Sequence, residues 1–136
     1  MFKKILALVM CLVLMCSTGL VASAETVDSQ VQPRYTYTSL ISATLANSGG
    51  KALCVGDVEG YSGETTKIVL TMTLQKKTLL WWSKVDEWTT TSNTFYATVS
   101  KTVAVDSGTH RVKVEAKVYA GSNYETVDCT SKTYTF

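Results

Sequence analysis

The sequence has little of what catalysis or metal binding needs. Among 136 residues there is one histidine, His110, and one proline, Pro33. One imidazole cannot form the cysteine–histidine cluster of a zinc site, and the loop from Glu59 to Glu64 offers calcium only two acids. The sequence contains no Gly-x-Ser-x-Gly motif and no glycine-rich phosphate loop. We therefore expect no catalytic residues, no metal site and no cofactor.

The single histidine has two interpretations. Next to Ser107 it could serve as the base of a Ser–His pair. We favour the alternative, in which His110 is a corner residue whose ring bonds a nearby backbone carbonyl. The few close pairs of carboxylates lack apolar neighbours, and we interpret them as solvated acids rather than as a glycosidase pair.

Long hydrophobic runs are absent except at the N-terminus, where residues 1–24 have the layout of a cleavable signal peptide. Lys3 and Lys4 precede an apolar stretch from Ile5 to Met15, and Ala22-Ser23-Ala24 supplies the small residues of a cleavage site. The stretch is shorter than the roughly 20 residues that cross a bilayer. We predict cleavage after Ala24, an extracellular location and no stable membrane insertion of the cleaved chain.

A charge excess of either sign is also absent from the exported part. Of the 13 lysines and arginines, Lys3 and Lys4 leave with the signal, so 11 remain to balance 11 aspartates and glutamates. A neutral balance gives no long-range attraction to nucleic acid or to anionic membranes. We expect neither as a partner.

Two of the four cysteines lie in the signal peptide, so Cys54 and Cys129 remain. Two cysteines in an exported domain usually form a disulfide. This bridge would close a loop of about 75 residues and contribute about 4 kcal/mol through the chain entropy of the unfolded state. We predict a Cys54–Cys129 disulfide, with free thiols as the alternative.

After the signal, the sequence predicts strands separated by turns. Residues 25–36 are polar and indicate a flexible leader, and residues 37–136 form the domain. Alternation of apolar and polar residues predicts seven strands, at 37–46, 51–58, 66–75, 81–90, 94–105, 111–118 and 125–136. The fourth strand is irregular, and Lys101 breaks the alternation in the fifth, which indicates a bulge or two short strands.

This pattern predicts an all-β fold. About seven antiparallel strands at this spacing favour a single immunoglobulin-like Greek-key sandwich, and a small β-barrel is the alternative. In such a sheet one face of each strand is buried and the other solvated.

Two stretches carry a resemblance. The run Asp106-Ser107-Gly108-Thr109-His110 resembles the corner of immunoglobulin-type domains, with His110 where a tyrosine is usual. The pattern of Leu74-Gln75, Trp82, Val85, Trp88 and a late Gly108 is similar to that of small uncharacterised secreted immunoglobulin-like proteins of Gram-positive bacteria. The resemblance covers residues 37–136 and implies a fold but no activity.

The tryptophans are the remaining candidates for ligand-binding residues. Trp81, Trp82 and Trp88 fall within eight positions, and adjacent residues of a strand point to opposite faces. We expect Trp82 in the core, and we expect Trp81, Trp88 and Tyr61 to contact a ligand, as aromatic residues do at interfaces.

These observations favour a secreted, non-enzymatic binding or surface-interaction module. Its partner is an unknown protein or a cell-wall glycan. A secreted antagonistic protein, such as a bacteriocin-like toxin or an inhibitor, is the first alternative. The second alternative is an enzyme, which is disfavoured because the sequence offers no recognisable set of catalytic residues.

Overall fold

The computed structural model describes residues 35–136. The predicted signal peptide and most of the leader lie outside these residues, and Tyr35 already packs partly against the core. Within this range there is no helix suited to crossing a membrane. The strands are β1 (Thr38–Ser48), β2 (Lys51–Gly60), β3 (Lys67–Lys77), β4 (Trp82–Ser92), β5 (Tyr96–Val103), β6 (Thr109–Ala120), β7 (Asn123–Thr130) and β8 (Tyr134–Thr135).

The strands form two antiparallel sheets. One has the order β1-β2-β5, and the other has the order β4-β3-β6-β7, with β8 also pairing with β6. The chain crosses between the sheets after β2, after β4 and after β5, which is the connectivity of a Greek key. The predicted all-β sandwich is confirmed, and the sheets do not close into the alternative barrel.

The core follows from the alternation along β3 and β6. These strands pair along their length, with Met72 opposite Val114 and Leu74 opposite Val112. Their inward side chains are fully or almost fully buried, as the sequence predicts: Ile68, Leu70, Met72, Leu74, Val112, Val114, Ala116 and Val118. Burial of each larger side chain contributes about 1.5–3 kcal/mol to stability.

The three-stranded sheet packs onto this core through β2. A Cβ atom at Gly56 would lie 2.8 Å from Cγ2 of Val114, closer than packed carbons approach. Glycine at this position therefore allows β2 to lie directly against β6, and the contact fixes which parts of the two sheets face each other.

Strand β5 is continuous where the sequence left two possibilities open. Its register with β2 has no shift from Tyr96 to Val103, so Lys101 marks neither a bulge nor a break. Lys101 is on the inward row of an edge strand, yet it is exposed. A charged side chain in this position protects a sheet edge against pairing with another molecule.

The last predicted strand is two strands. After β7, the Ser131 side chain takes over part of the pairing with β6. Its Oγ accepts a hydrogen bond of 2.8 Å from the backbone N–H of Val112, and its own N–H donates to the Val112 carbonyl oxygen at 2.8 Å. The chain then returns to β6 as β8, where Tyr134 pairs with His110.

The predicted disulfide is wrong, because Cys54 and Cys129 are both free thiols in the structure. Cys54 lies on β2, which packs across the core against β3 and β6, whereas Cys129 lies on β7, which packs against β1. A disulfide needs Cα atoms about 4.4–6.8 Å apart. Neither the sequence spacing of the cysteines nor the expected cellular compartment reveals that β2 and β7 pack against different strands of the opposite sheet.

Burial makes Cys54 unreactive. Burial, and secondarily the negative charge of Asp86, raises the pKa of its thiol to about 11. The thiolate is the reactive form of cysteine, so little of it exists at neutral pH.

We expect a protein of residues 25–136 to show two thiols per chain in denaturant without any reductant. In the native state Cys54 should resist Ellman's reagent, and a Cys129→Ala variant isolates its protection. The absorbance released when Ellman's reagent reacts with the native and with the denatured variant measures how strongly Cys54 is protected. Thiols that appear only after reduction would show that the disulfide exists.

Candidate functional site

A bulge in β4 decides where the tryptophans point. Leu74 pairs with Asp86, but the next residue, Gln75, pairs with Lys84, so Val85 is an extra residue. Without the bulge, Trp82 and Trp88 would share a face, since they are six positions apart. With it, Trp88 lies inward opposite Met72 and Trp82 lies outward opposite Lys77.

The expected assignment of the tryptophans therefore changes. Trp82, expected in the core, is half-buried on the outer face of the five-stranded sheet. Trp88, expected to contact a ligand, packs against the core. The irregular periodicity of β4 signalled a bulge, but it did not show which residue was the extra one.

The three residues predicted to bind a ligand do not meet. Trp81 is 64% exposed in the turn between β3 and β4, which we call the hairpin tip (residues 78–81). Tyr61 is 42% exposed in the loop that leads into the start of β3. β3 has 11 residues, and at about 3.3 Å per residue its two ends are roughly 35 Å apart. Trp88 faces inward between them.

A different set of residues forms a shallow depression on the outer face of the five-stranded sheet. Its volume is about 340 Å³, and it is open to solvent along the sheet. We call it the outer groove, and it is lined by Thr71, Thr73 and Gln75 of β3, Trp82, Lys84 and Glu87 of β4, and Lys113 and Glu115 of β6.

Trp82 at one end of the outer groove is held by Arg111. The guanidinium carbon lies 4.2 Å from the centroid of the indole ring, a cation–π contact. Arg111 also donates from Nε to Oε1 of Gln75 at 2.7 Å. Two neighbouring strands thus fix the plane of the indole, and one face of the ring is covered.

The floor of the outer groove is a set of polar side chains on paired strands. Thr73 donates to Glu87 at 3.2 Å, and Lys84 lies 4.0 Å from the same carboxylate. Lys113 and Glu115 form no ion pair among the described residues. The lining therefore offers hydroxyl, amide, ammonium and carboxylate groups, with two positive and two negative charges.

The same sheet face carries aromatic residues at its far end. The rings of Tyr119 and Tyr124 lie 5.2 Å apart, next to the start of β3. Lys67 and Lys117 lie over these rings, at 4.2 and 5.4 Å from the centroids. The outer face thus has aromatic side chains near both ends and polar groups between them.

His110 is a structural residue, as expected from the sequence. It is fully buried, and its Nδ1 donates to the carbonyl oxygen of Gly108 at 2.9 Å. Its ring meets Phe136 edge-on, and within residues 35–136 its Nε2 has no hydrogen-bond partner. Ser107 is therefore not bonded to this imidazole. Nor do residues 35–136 bring together three side chains suited to holding a metal ion.

No sequence-family model and no curated protein matches the chain. Two crystal structures of wild-type OgpA from Akkermansia muciniphila, in different crystal forms, are similar at 13% and 12% identity, each with a TM-score of 0.41. They cover 76% and 78% of this chain, which spans only 32% of the OgpA chain. A likeness this distant carries no argument about function.

The positions of the tryptophans predict different effects on stability. We expect Trp88→Ala to lower the free energy of unfolding by about 2 kcal/mol, because it removes a half-buried ring from the core. Trp81→Ala should change it by less than about 0.5 kcal/mol, since the side chain contacts little. Chemical denaturation of both variants measures this. Equal losses, or a larger loss at Trp81, would contradict the position of the bulge.

Proposed function

We propose that this protein is a secreted, non-enzymatic binding module that holds a cell-wall glycan in the outer groove. The observation that carries the proposal is a fixed indole beside a polar lining of mixed charge. Lys84 and Lys113 line the groove together with Glu87 and Glu115, and Arg111 on the indole adds one positive charge. A site for a polyanion or a polycation would carry a large excess of the opposite sign.

Hydroxyl-rich ligands suit this lining. Each sugar hydroxyl donates and accepts hydrogen bonds, and the groove supplies both kinds of partner: threonine hydroxyls, a glutamine amide, ammonium groups and carboxylates. The apolar face of a sugar ring stacks on the part of Trp82 that Arg111 leaves uncovered. The polar floor then sets the orientation of the ring.

The groove is also preorganised. Its side chains stand on three hydrogen-bonded strands, and Arg111, Gln75 and Trp82 constrain one another. Strand-borne sites lose little freedom on binding, which favours affinity for a flexible chain. The tyrosines at the far end of the sheet extend the surface along β3, as an extended polysaccharide requires.

The direct test is a calorimetric titration of the exported protein with a panel of soluble glycans and with a cell-wall polysaccharide fraction, which measures the binding affinity. We expect Trp82→Ala to weaken binding about tenfold or more, because the stacking surface is lost. Glu87→Gln should weaken binding of the same glycan through its altered hydrogen bonding.

The matched control is Trp81→Ala, which removes the neighbouring indole outside the groove. Tyr61→Ala is a second control at the opposite end of β3. Both should bind like the wild type. If Trp82→Ala binds as well as these controls, the outer groove is not the site. If the wild type binds no glycan of the panel or fraction, the glycan proposal is wrong.

A further inference from the structure

The hairpin tip exposes apolar side chains without interruption. Leu79 is 100% exposed, Leu80 is 87% exposed and Trp81 is 64% exposed. Single exposed apolar residues are common on proteins, but turns are normally built from glycine, asparagine, aspartate and serine. Three large apolar residues in succession at the end of a hairpin indicate a surface that becomes covered.

The tip is a closed and ordered turn. The backbone N–H of Thr78 donates to the carbonyl oxygen of Trp81 at 2.8 Å, and the Thr78 hydroxyl donates to the same oxygen at 2.7 Å. The turn satisfies these polar groups internally, so they need no water. Leu79 and Leu80 then project beyond the last paired residues, Lys77 and Trp82.

Lysines flank the tip on both of its strands. Lys76 and Lys77 precede it on β3, and Lys84 follows it on β4, with no acidic residue between positions 76 and 84. Glu87 offsets part of the charge of Lys84, at 4.0 Å in an exposed pair that contributes little. The apolar end of the hairpin therefore has a positive collar.

We propose that the hairpin tip docks this protein on the surface of an anionic lipid bilayer. Leu79 and Leu80 enter the boundary between headgroups and acyl chains, where removal of their apolar surface from water favours binding. Trp81 lies at headgroup level, the position that tryptophan prefers in membranes. The lysine collar stays with the phosphates, whose negative charge attracts basic residues near the surface.

The shape of the tip favours a bilayer over a protein partner. Three side chains expose at most about 500 Å², whereas a specific protein interface buries about 800 Å² on each partner. The tip also projects as a convex hairpin end beyond the last paired residues. A fluid surface covers a convex apolar end completely, and phosphate groups match the lysines around it.

The neutral net charge of the exported chain does not conflict with this docking. Net charge describes long-range attraction, whereas the collar acts within a Debye length of about 8 Å at physiological salt. Asp86 and Glu87 are the acids nearest this segment in sequence, and both lie outside residues 76–84. The docking is shallow and reversible, so it is distinct from stable insertion.

The test is partition of the exported protein onto large unilamellar vesicles. One set is phosphatidylcholine alone, and the other is an equal mixture with phosphatidylglycerol. We expect binding to the mixed vesicles, a blue shift of tryptophan emission, and weakening of both by high salt. Leu79→Ser/Leu80→Ser should reduce partition about tenfold or more, since the inserted surface is lost.

The matched control is Leu40→Ser, which removes an exposed leucine on β1 at the other end of the molecule. It should bind vesicles like the wild type, and thermal unfolding should show that all variants are folded. No partition of the wild type, or partition that the double variant retains, would overturn the proposal. Equal binding to phosphatidylcholine alone would overturn the role of the lysines.

This inference is independent of the glycan proposal. The double serine variant leaves every residue of the outer groove in place, so it should bind glycan normally. Trp82→Ala leaves Leu79 and Leu80 in place, so it should still bind vesicles. Each proposal can therefore fail without the other.

Discussion

The pairing of β3 with β6 is the constraint on which the rest of the molecule depends. Both strands alternate strictly, so one register buries the apolar side chains of both at once. A shift of one residue would turn every one of these side chains to solvent. The same register determines the outer face, where it sets Thr73 beside Lys113 and Gln75 beside Arg111. The core and the outer groove therefore lie on opposite faces of the same pair of strands, β3 and β6.

The single extra residue in β4 adds the second constraint. Val85 lets Trp88 join the core while Trp82 completes the outer groove, although their spacing alone would place them together. Bulges are frequent beside functional sites because they redirect a side chain without disturbing the rest of the sheet. Here the bulge gives Trp82 and Trp88 different environments, while Trp81 lies in the turn before β4 begins.

The sequence predicted the features that follow from local periodicity, and it missed those that depend on contacts between distant strands. The sandwich, the inward rows of β3 and β6 and the structural role of His110 follow from alternation and composition. The absent disulfide does not, because it depends on β2 and β7 packing against different strands. The role of Trp82 was missed because a bulge shifts the alternation at a position that only the pairing with Gln75 reveals. Trp81 was expected to contact a ligand, and the structure shows it exposed between two exposed leucines and Trp82.

The most direct test of this account is a nuclear magnetic resonance titration of isotope-labelled protein of residues 25–136 with the soluble glycan that binds best. The account predicts shifts of the Trp82 indole and of the amides of Gln75, Glu87 and Lys113, with little change on the three-stranded sheet. Shifts concentrated on the outer face of that other sheet, around Leu53 and Tyr96, would contradict it.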